Sequence, residues 1–197
     1  MISEEVLALE PDIIAWRRHM HQNPELSFQE VHTTAYLTEE LKKIPGLTLE
    51  FPTKTGVVAV LKGVQPGPVL ALRADIDALP IQEETELPYA STVPGVMHAC
   101  GHDNHMAMLL GAAHILLEKK DELKGKVKFL LQSGEEMACG AKYYVDHHIL
   151  DGVDAIFGQH VCPSENDTVG TLNLYKGYFT SAVDLLHITV HGKSGHG

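Results

Sequence analysis

The chain is poor in cysteine and in positive charge, and it has no long apolar run. Its three cysteines, Cys100, Cys139 and Cys162, are odd in number and widely spaced. That excludes a disulfide framework and points to a reducing compartment. Lysine and arginine number 15 against 26 aspartates and glutamates, a net charge of −11 with histidine neutral. A nucleic-acid partner needs a basic face, so none is expected. No apolar stretch approaches the ~18 residues of a membrane span, and no membrane partner is expected. The opening M-I-S-E-E-V-L-A-L-E lacks the basic and apolar regions of a signal peptide. Cytoplasm is the expected location.

Histidine, by contrast, is plentiful. Thirteen are present, and they cluster beside cysteine and paired glutamates, which points to metal chemistry. The richest stretch is Met97–His105, M-H-A-C-G-H-D-N-H. Cys100 and His102 are separated by one glycine, so a turn can bring thiol and imidazole to one divalent ion or let them bridge two.

The periodicity predicts alternating elements. Helices are expected over 3–22 and 27–44, the second capped by Ser27 with Glu30 as its capping-box partner. Strands are expected at 47–51, 56–62 and 68–74. A long connection, 75–99, follows, and loops of that length are usually functional. A helix capped by Asp103 should run to about Glu118. A buried strand at 126–132, a helix at 138–147 and strands at 155–161 and 168–174 complete the pattern. Strands alternating with helices imply an α/β fold, a mixed central sheet with helices on both faces. Residues 181–191 alternate differently and read as the first strand of another domain. The expected division is therefore 1–180 and 181–197. A strand emerging with nothing after it to pair with is expected of a truncated chain.

Four islands lie at the carboxyl ends of expected strands, the edge where open α/β sheets build their sites. Asp75 and Asp77 follow V-L-A-L and could orient a metal-bound histidine, or simply form a polar turn with Arg73. Cys100 and His102 suit zinc, and the imidazole also accepts manganese, cobalt or nickel. No second pair completes a closed structural zinc site, and a cysteine nucleophile paired with histidine is the rival reading. His98 and His105 could support the site or be exposed. Glu135 and Glu136 end a buried strand, so one could bind metal while the other acts as general base; alone, such a pair is often a charged surface turn. His160 ends the next strand and is a ready ligand or a buried, satisfied histidine.

These islands in this order resemble the aminoacylase/carboxypeptidase-G family of metallo-amidohydrolases, and its amidohydrolase branch in particular. The strings that carry the resemblance are R-A-D-I-D-A-L-P, M-H-A-C-G-H-D-x-H and Q-x-x-E-E. The opening R-R-H-M-H-Q-N-P-E-L-S-F-Q-E and the closing G-K-S-G-H-G belong with them. The resemblance covers essentially the whole chain but only about the first half of a typical member. It implies a zinc-exopeptidase-like catalytic domain followed by the start of an α+β lid and dimerisation domain. It makes Cys100, His102, Glu136 and His160 ligands of two divalent ions (zinc, manganese, cobalt or nickel). Glu135 becomes the general base, Asp75 the carboxylate that tunes the site, and His196 the lid histidine that steadies an oxyanion across a dimer. The implied reaction is hydrolysis of the amide bond of a small N-acyl amino acid, in a homodimer or homotetramer. N-acetyldiaminopimelate deacetylation, or metal binding without turnover, are the alternatives. One departure is local: the usual Q-P-A-E-E is Q-S-G-E-E here, which should loosen the turn that carries both glutamates.

Overall fold

The computed structural model describes residues 2–162, 168–174, 176–177 and 186–195. They fall into two compact units, Met1–Cys162 and Pro163–Gly197. The first contains helices α1 (Glu4–Gln22), α2 (Val31–Lys42), α3 (His102–Glu118) and α4 (Gly140–Asp146). Its strands are β1 (Leu47–Glu50), β2 (Val57–Lys62), β3 (Gln65–Asp75), β4 (Lys124–Gln132) and β5 (Ala155–Gly158).

The five strands form one mixed sheet in the order β1-β2-β4-β3-β5. The β1–β2 and β2–β4 pairs are antiparallel, whereas β3 runs parallel to both β4 and β5. The two faces are covered by different helices. On one, Trp16 and Met20 of α1, Leu37 and Leu41 of α2 and Met106 and Leu110 of α3 pack on Val57, Phe129 and Leu131. On the other, Tyr144 of α4 and Ile149 cover Val58, Ala71 and Leu130. Lys128 aside, the V-V-A-V-L and V-K-F-L-L runs are apolar on both sides because both sides are buried. Each fully buried Leu, Val or Phe side chain there stabilises the fold by about 1.5–3 kcal/mol.

The chain leaves β3 for α3 on one face and leaves β4 for α4 on the other. Between adjacent parallel strands, such a divergence opens a crevice at the carboxyl ends. Asp75 and Gln132 are register partners at that edge, and Arg73 pairs with Gly158 one strand over. The long 76–101 connection folds back over the same edge. It is tied down by hydrogen bonds from Ile76 N to the Gln132 carbonyl at 3.0 Å and from Ala78 N to the Glu25 carbonyl at 2.8 Å. Leu79 and Met97 exchange a pair of backbone bonds at 3.0 and 3.1 Å.

Several local expectations are corrected. α2 begins at Val31, and Ser27 does not cap it: its hydroxyl donates to Asp77 instead. α3 begins at His102 behind Gly101, so Asp103 lies inside the first turn and turns its carboxylate to Arg17 and His21. β5 ends at Gly158, short of Val161. Residues 168–174 form no strand but hold a turn at 169–170, where the Thr171 N–H returns to the Thr168 carbonyl at 3.0 Å. The expected strand at 181–191 falls partly, and His196 wholly, outside the described residues. Among the described residues no helix is long and apolar enough to cross a membrane.

Candidate metal centre

The crevice at the carboxyl ends of β3, β4 and β5 gathers side chains from four separate segments. Asp75 comes from the end of β3, and Glu135 and Glu136 from the turn after β4. His160 comes from just beyond β5, and Cys100 and His102 from the turn into α3. That turn is possible because Gly101 sits at φ +94°, a left-handed conformation that side chains disfavour. A Cβ on Gly101 would also lie 2.5 Å from Val161 Cγ2.

His102 is the hub, and it is fully buried. Its Nδ1 lies 2.8 Å from the Asp77 carbonyl oxygen. A carbonyl only accepts, so Nδ1 carries the proton and Nε2 presents a lone pair. Around Nε2 stand Glu135 Oε2 at 3.7 Å, Glu136 Oε1 at 3.7 Å and Asp75 Oδ2 at 3.9 Å. None is close enough for a hydrogen bond, and His102 Nε2 and Glu136 Oε1 have no such partner among the described residues.

His160 repeats the pattern. Its Nδ1 donates to the Val161 carbonyl at 2.6 Å, and its Nε2 lies 3.3 Å from Cys100 Sγ. Both imidazoles thus tie down one nitrogen with a backbone carbonyl and aim the other into the crevice, as metal-ligating histidines do. His105 is wired the opposite way. Its Nε2 accepts the Val161 N–H at 3.0 Å, which puts the proton on Nδ1, 3.9 Å from Asp75 Oδ2. It faces the site as a donor, and burial, with His102 and His160 alongside, pushes its pKa down to about 3. Among the described residues, three overlapping triads bring potential ligand atoms within 4.8 Å of one another. They are Cys100–His102–His160, Asp75–His102–His105 and His102–Glu135–Glu136.

The electrostatics are those of a cation site. Asp75, Asp77, Glu135 and Glu136 surround His102, and the one guanidinium there, Arg73, pairs with Asp75. Burial pushes Asp75 up to about 6 in spite of Arg73. Burial also raises Glu136, with Glu135 adding to the effect and His102 opposing it. For His102 burial favours the neutral ring, but the Asp77 hydrogen bond and the Asp75 and Asp77 charges outweigh it and raise its pKa. Cys100 is pushed up to about 12 by burial and by Glu136, Glu135 and Asp75. A nucleophilic cysteine is favoured by the reverse, a lowered pKa beside a cation or helix end, so these surroundings do not favour Cys100 as a nucleophile. Thiol, imidazole and carboxylate together are instead a donor set that fits a divalent transition ion, whose charge would offset the crowding.

Asp77 emerges as a part of the site that composition did not single out from Asp75. Fully buried, its Oδ2 accepts the Ser27 hydroxyl at 2.6 Å and the Glu136 N–H at 2.9 Å, while its carbonyl holds His102. Behind the site, Asp103 binds Arg17 Nε at 2.7 Å and His21 Nδ1 at 2.8 Å. Glu83 holds the other nitrogen of His21 at 3.1 Å. This network fastens the long connection to α1 and α3, and it gives the R-R-H-M-H string a physical role. His98, buried among these groups, is pushed down to about 4 by that burial.

An α/β sheet with a thiol, imidazoles and carboxylates converging at its carboxyl edge defines a candidate metal centre. The chain belongs to Peptidase family M20/M25/M40, whose profile matches residues 71–191. It is 47% identical over 203 residues to an N-acyl-L-amino acid amidohydrolase of Geobacillus stearothermophilus, across 100% of this chain and 54% of that protein. It is 49% identical over 185 residues to an N-acetylcysteine deacetylase of Bacillus subtilis, across 93% of this chain and 48% of that protein. The solved structure of the Bacillus subtilis YXEP protein, a dinuclear metal binding peptidase of the M20 family, matches with a TM-score of 0.77 at 49% identity. That match spans 80% of this chain and 44% of the other. The chain spans about half the length of the curated relatives it matches.

Proposed function

We propose that this chain carries the metal-binding half of an amidohydrolase that cleaves the amide bond of N-acyl amino acids. The observation that carries the reading is the matched wiring of His102 and His160. Each has its Nδ1–H held by a carbonyl and its Nε2 turned toward Cys100 or the Glu135–Glu136 pair. In this reading Cys100, His102, Glu136 and His160 hold two divalent ions, drawn from zinc, manganese, cobalt or nickel. Such ions lower the pKa of water from 15.7 toward about 7 and polarise an amide carbonyl.

The chain's own residues do the rest. Glu135, whose side chain is 41% exposed at the mouth of the crevice, takes the proton of the attacking water and returns it to the leaving amine. Asp75 and the His105 Nδ1–H orient the groups around His102. Residues 181–197 would open a lid and dimerisation domain, and His196 would steady the oxyanion from there. The substrate class rests on the names of the relatives, an N-acyl-L-amino acid amidohydrolase and an N-acetylcysteine deacetylase.

The test is hydrolysis of a panel of N-acetyl and N-benzoyl amino acids by the chain after chelation and after add-back of zinc, manganese or cobalt. Metal-restored turnover is expected. Turnover indifferent to a chelator but lost on thiol alkylation would overturn the reading. A chain that binds metal and turns over nothing would overturn catalysis by this half alone.

A further inference from the structure

The four-residue segment Ser27–Glu30, between α1 and α2, touches the glutamate turn at two points and reaches it through Asp77 at a third. Glu30 is fully buried, and its Oε1 accepts the N–H of Gly134 at 3.0 Å. Ser27 donates to Asp77 Oδ2 at 2.6 Å, and that same oxygen accepts the N–H of Glu136 at 2.9 Å. Phe28 lies against Gly134 itself: a Cβ on Gly134 would stand 2.3 Å from Phe28 Cζ. The Phe28 ring is backed by Tyr143, edge to face, with centroids 5.7 Å apart.

Two of these residues hold unusual backbone. Gly134 lies at φ +71° and Phe28 at φ +60°. For a bulky residue the second is an outlier, and such conformations persist only where the surroundings over-determine them. The amides of Gly134 and Glu136, on either side of Glu135, are thus held by Glu30 and by an Asp77 oxygen that Ser27 also binds, while the Glu135 carboxylate faces His102 Nε2 at 3.7 Å. The glycine of Q-S-G-E-E, Gly134, leaves room there for the Phe28 ring.

We infer that Ser27, Phe28 and Glu30 form a clamp whose task is to position Glu135 over the metal centre. They are positioning residues and touch no reacting atom. The inference rests on the reading of Glu135 as general base, and its test separates the two. In Phe28→Ala and Glu30→Ala the Gly134 amide should exchange its hydrogen faster than in the wild type. Metal stoichiometry and KM should be unchanged, and kcat should fall about 100-fold, the scale of a 1 Å misplacement. Glu30→Gln keeps an acceptor for the Gly134 N–H and should restore most of kcat. If Glu30→Ala does not fold, the milder Phe28→Leu carries the same comparison. A folded Phe28→Ala with wild-type kcat and wild-type exchange would overturn the clamp. Absence of turnover in the wild type would overturn the catalytic reading alone, because amide exchange at Gly134 still decides whether the clamp exists.

Discussion

His102 donates its Nδ1–H to the backbone carbonyl of Asp77 across 2.8 Å, and the Asp77 side chain holds the amide of Glu136 at 2.9 Å. One residue thus orients two of the proposed ligands, the imidazole through its main chain and the glutamate through its carboxylate. Removing only the carboxylate should leave His102 in place and release Glu136.

Asp77→Ala is therefore expected to weaken metal binding by about 10–100-fold, the usual cost of losing an outer partner of a ligand. Competition with a chromophoric chelator measures it. Asp77→Asn keeps an acceptor oxygen and should lie between the variant and the wild type. Wild-type affinity in Asp77→Ala would show that Glu136 needs no such support, or is no ligand.

The turn before α3 makes a second prediction. Gly101→Ala places a Cβ at φ +94° and 2.5 Å from Val161 Cγ2. The backbone alone should cost about 1–2 kcal/mol. Because Val161 follows His160, the clash also presses on that proposed ligand. Urea unfolding should show the loss, and metal titration should show weaker binding than the stability loss alone explains. A variant as stable and as tight-binding as the wild type would contradict the assigned turn.

The third concerns pH. The Asp103 hydrogen bond raises His21 above the ordinary imidazole value, burial opposes it, and Glu83 adds to it. A raised folded pKa means that the stabilisation is complete below the unfolded value of about 6.5 and is lost as pH rises through the folded one. His21→Gln should then cost more stability at about pH 6 than at about pH 9. Urea midpoints of both proteins at the two pH values give the comparison. An equal cost at both would mean that His21 is held as a neutral ring.

The central elements were legible because their signals are local. β2 and β4 carry apolar runs, V-V-A-V-L and F-L-L, and α3 follows a glycine turn with apolar residues on its inner face. The ligand candidates were legible because each sits directly after such a strand or in that turn. What was not legible depends on distant partners. Ser27 and Asp103 read as helix caps, but the first is taken by Asp77, fifty residues on, and the second by Arg17 and His21. Nothing in the spacing of His102 and His105 reveals that one offers a lone pair and the other a proton. That follows from which backbone group each ring meets. The contact between Glu30 and Gly134 spans 104 residues, beyond any periodic pattern. At 168–174 the apolar residues Val169, Leu172 and Leu174 suggest a strand, but all are exposed, and strand pairing is a property of neighbours.

The most direct test of the metal centre is cobalt(II) titration of the chain, followed by absorption, with Cys100→Ser and His102→Ala alongside. Cobalt bound by a cysteine thiolate adds a sulfur-to-metal charge-transfer band in the near ultraviolet. The account predicts that band in the wild type, its loss with cobalt still bound in Cys100→Ser, and loss of binding in His102→Ala, the residue shared by all three triads. Cobalt bound with no such band in the wild type, or with unchanged spectra in both variants, would contradict it.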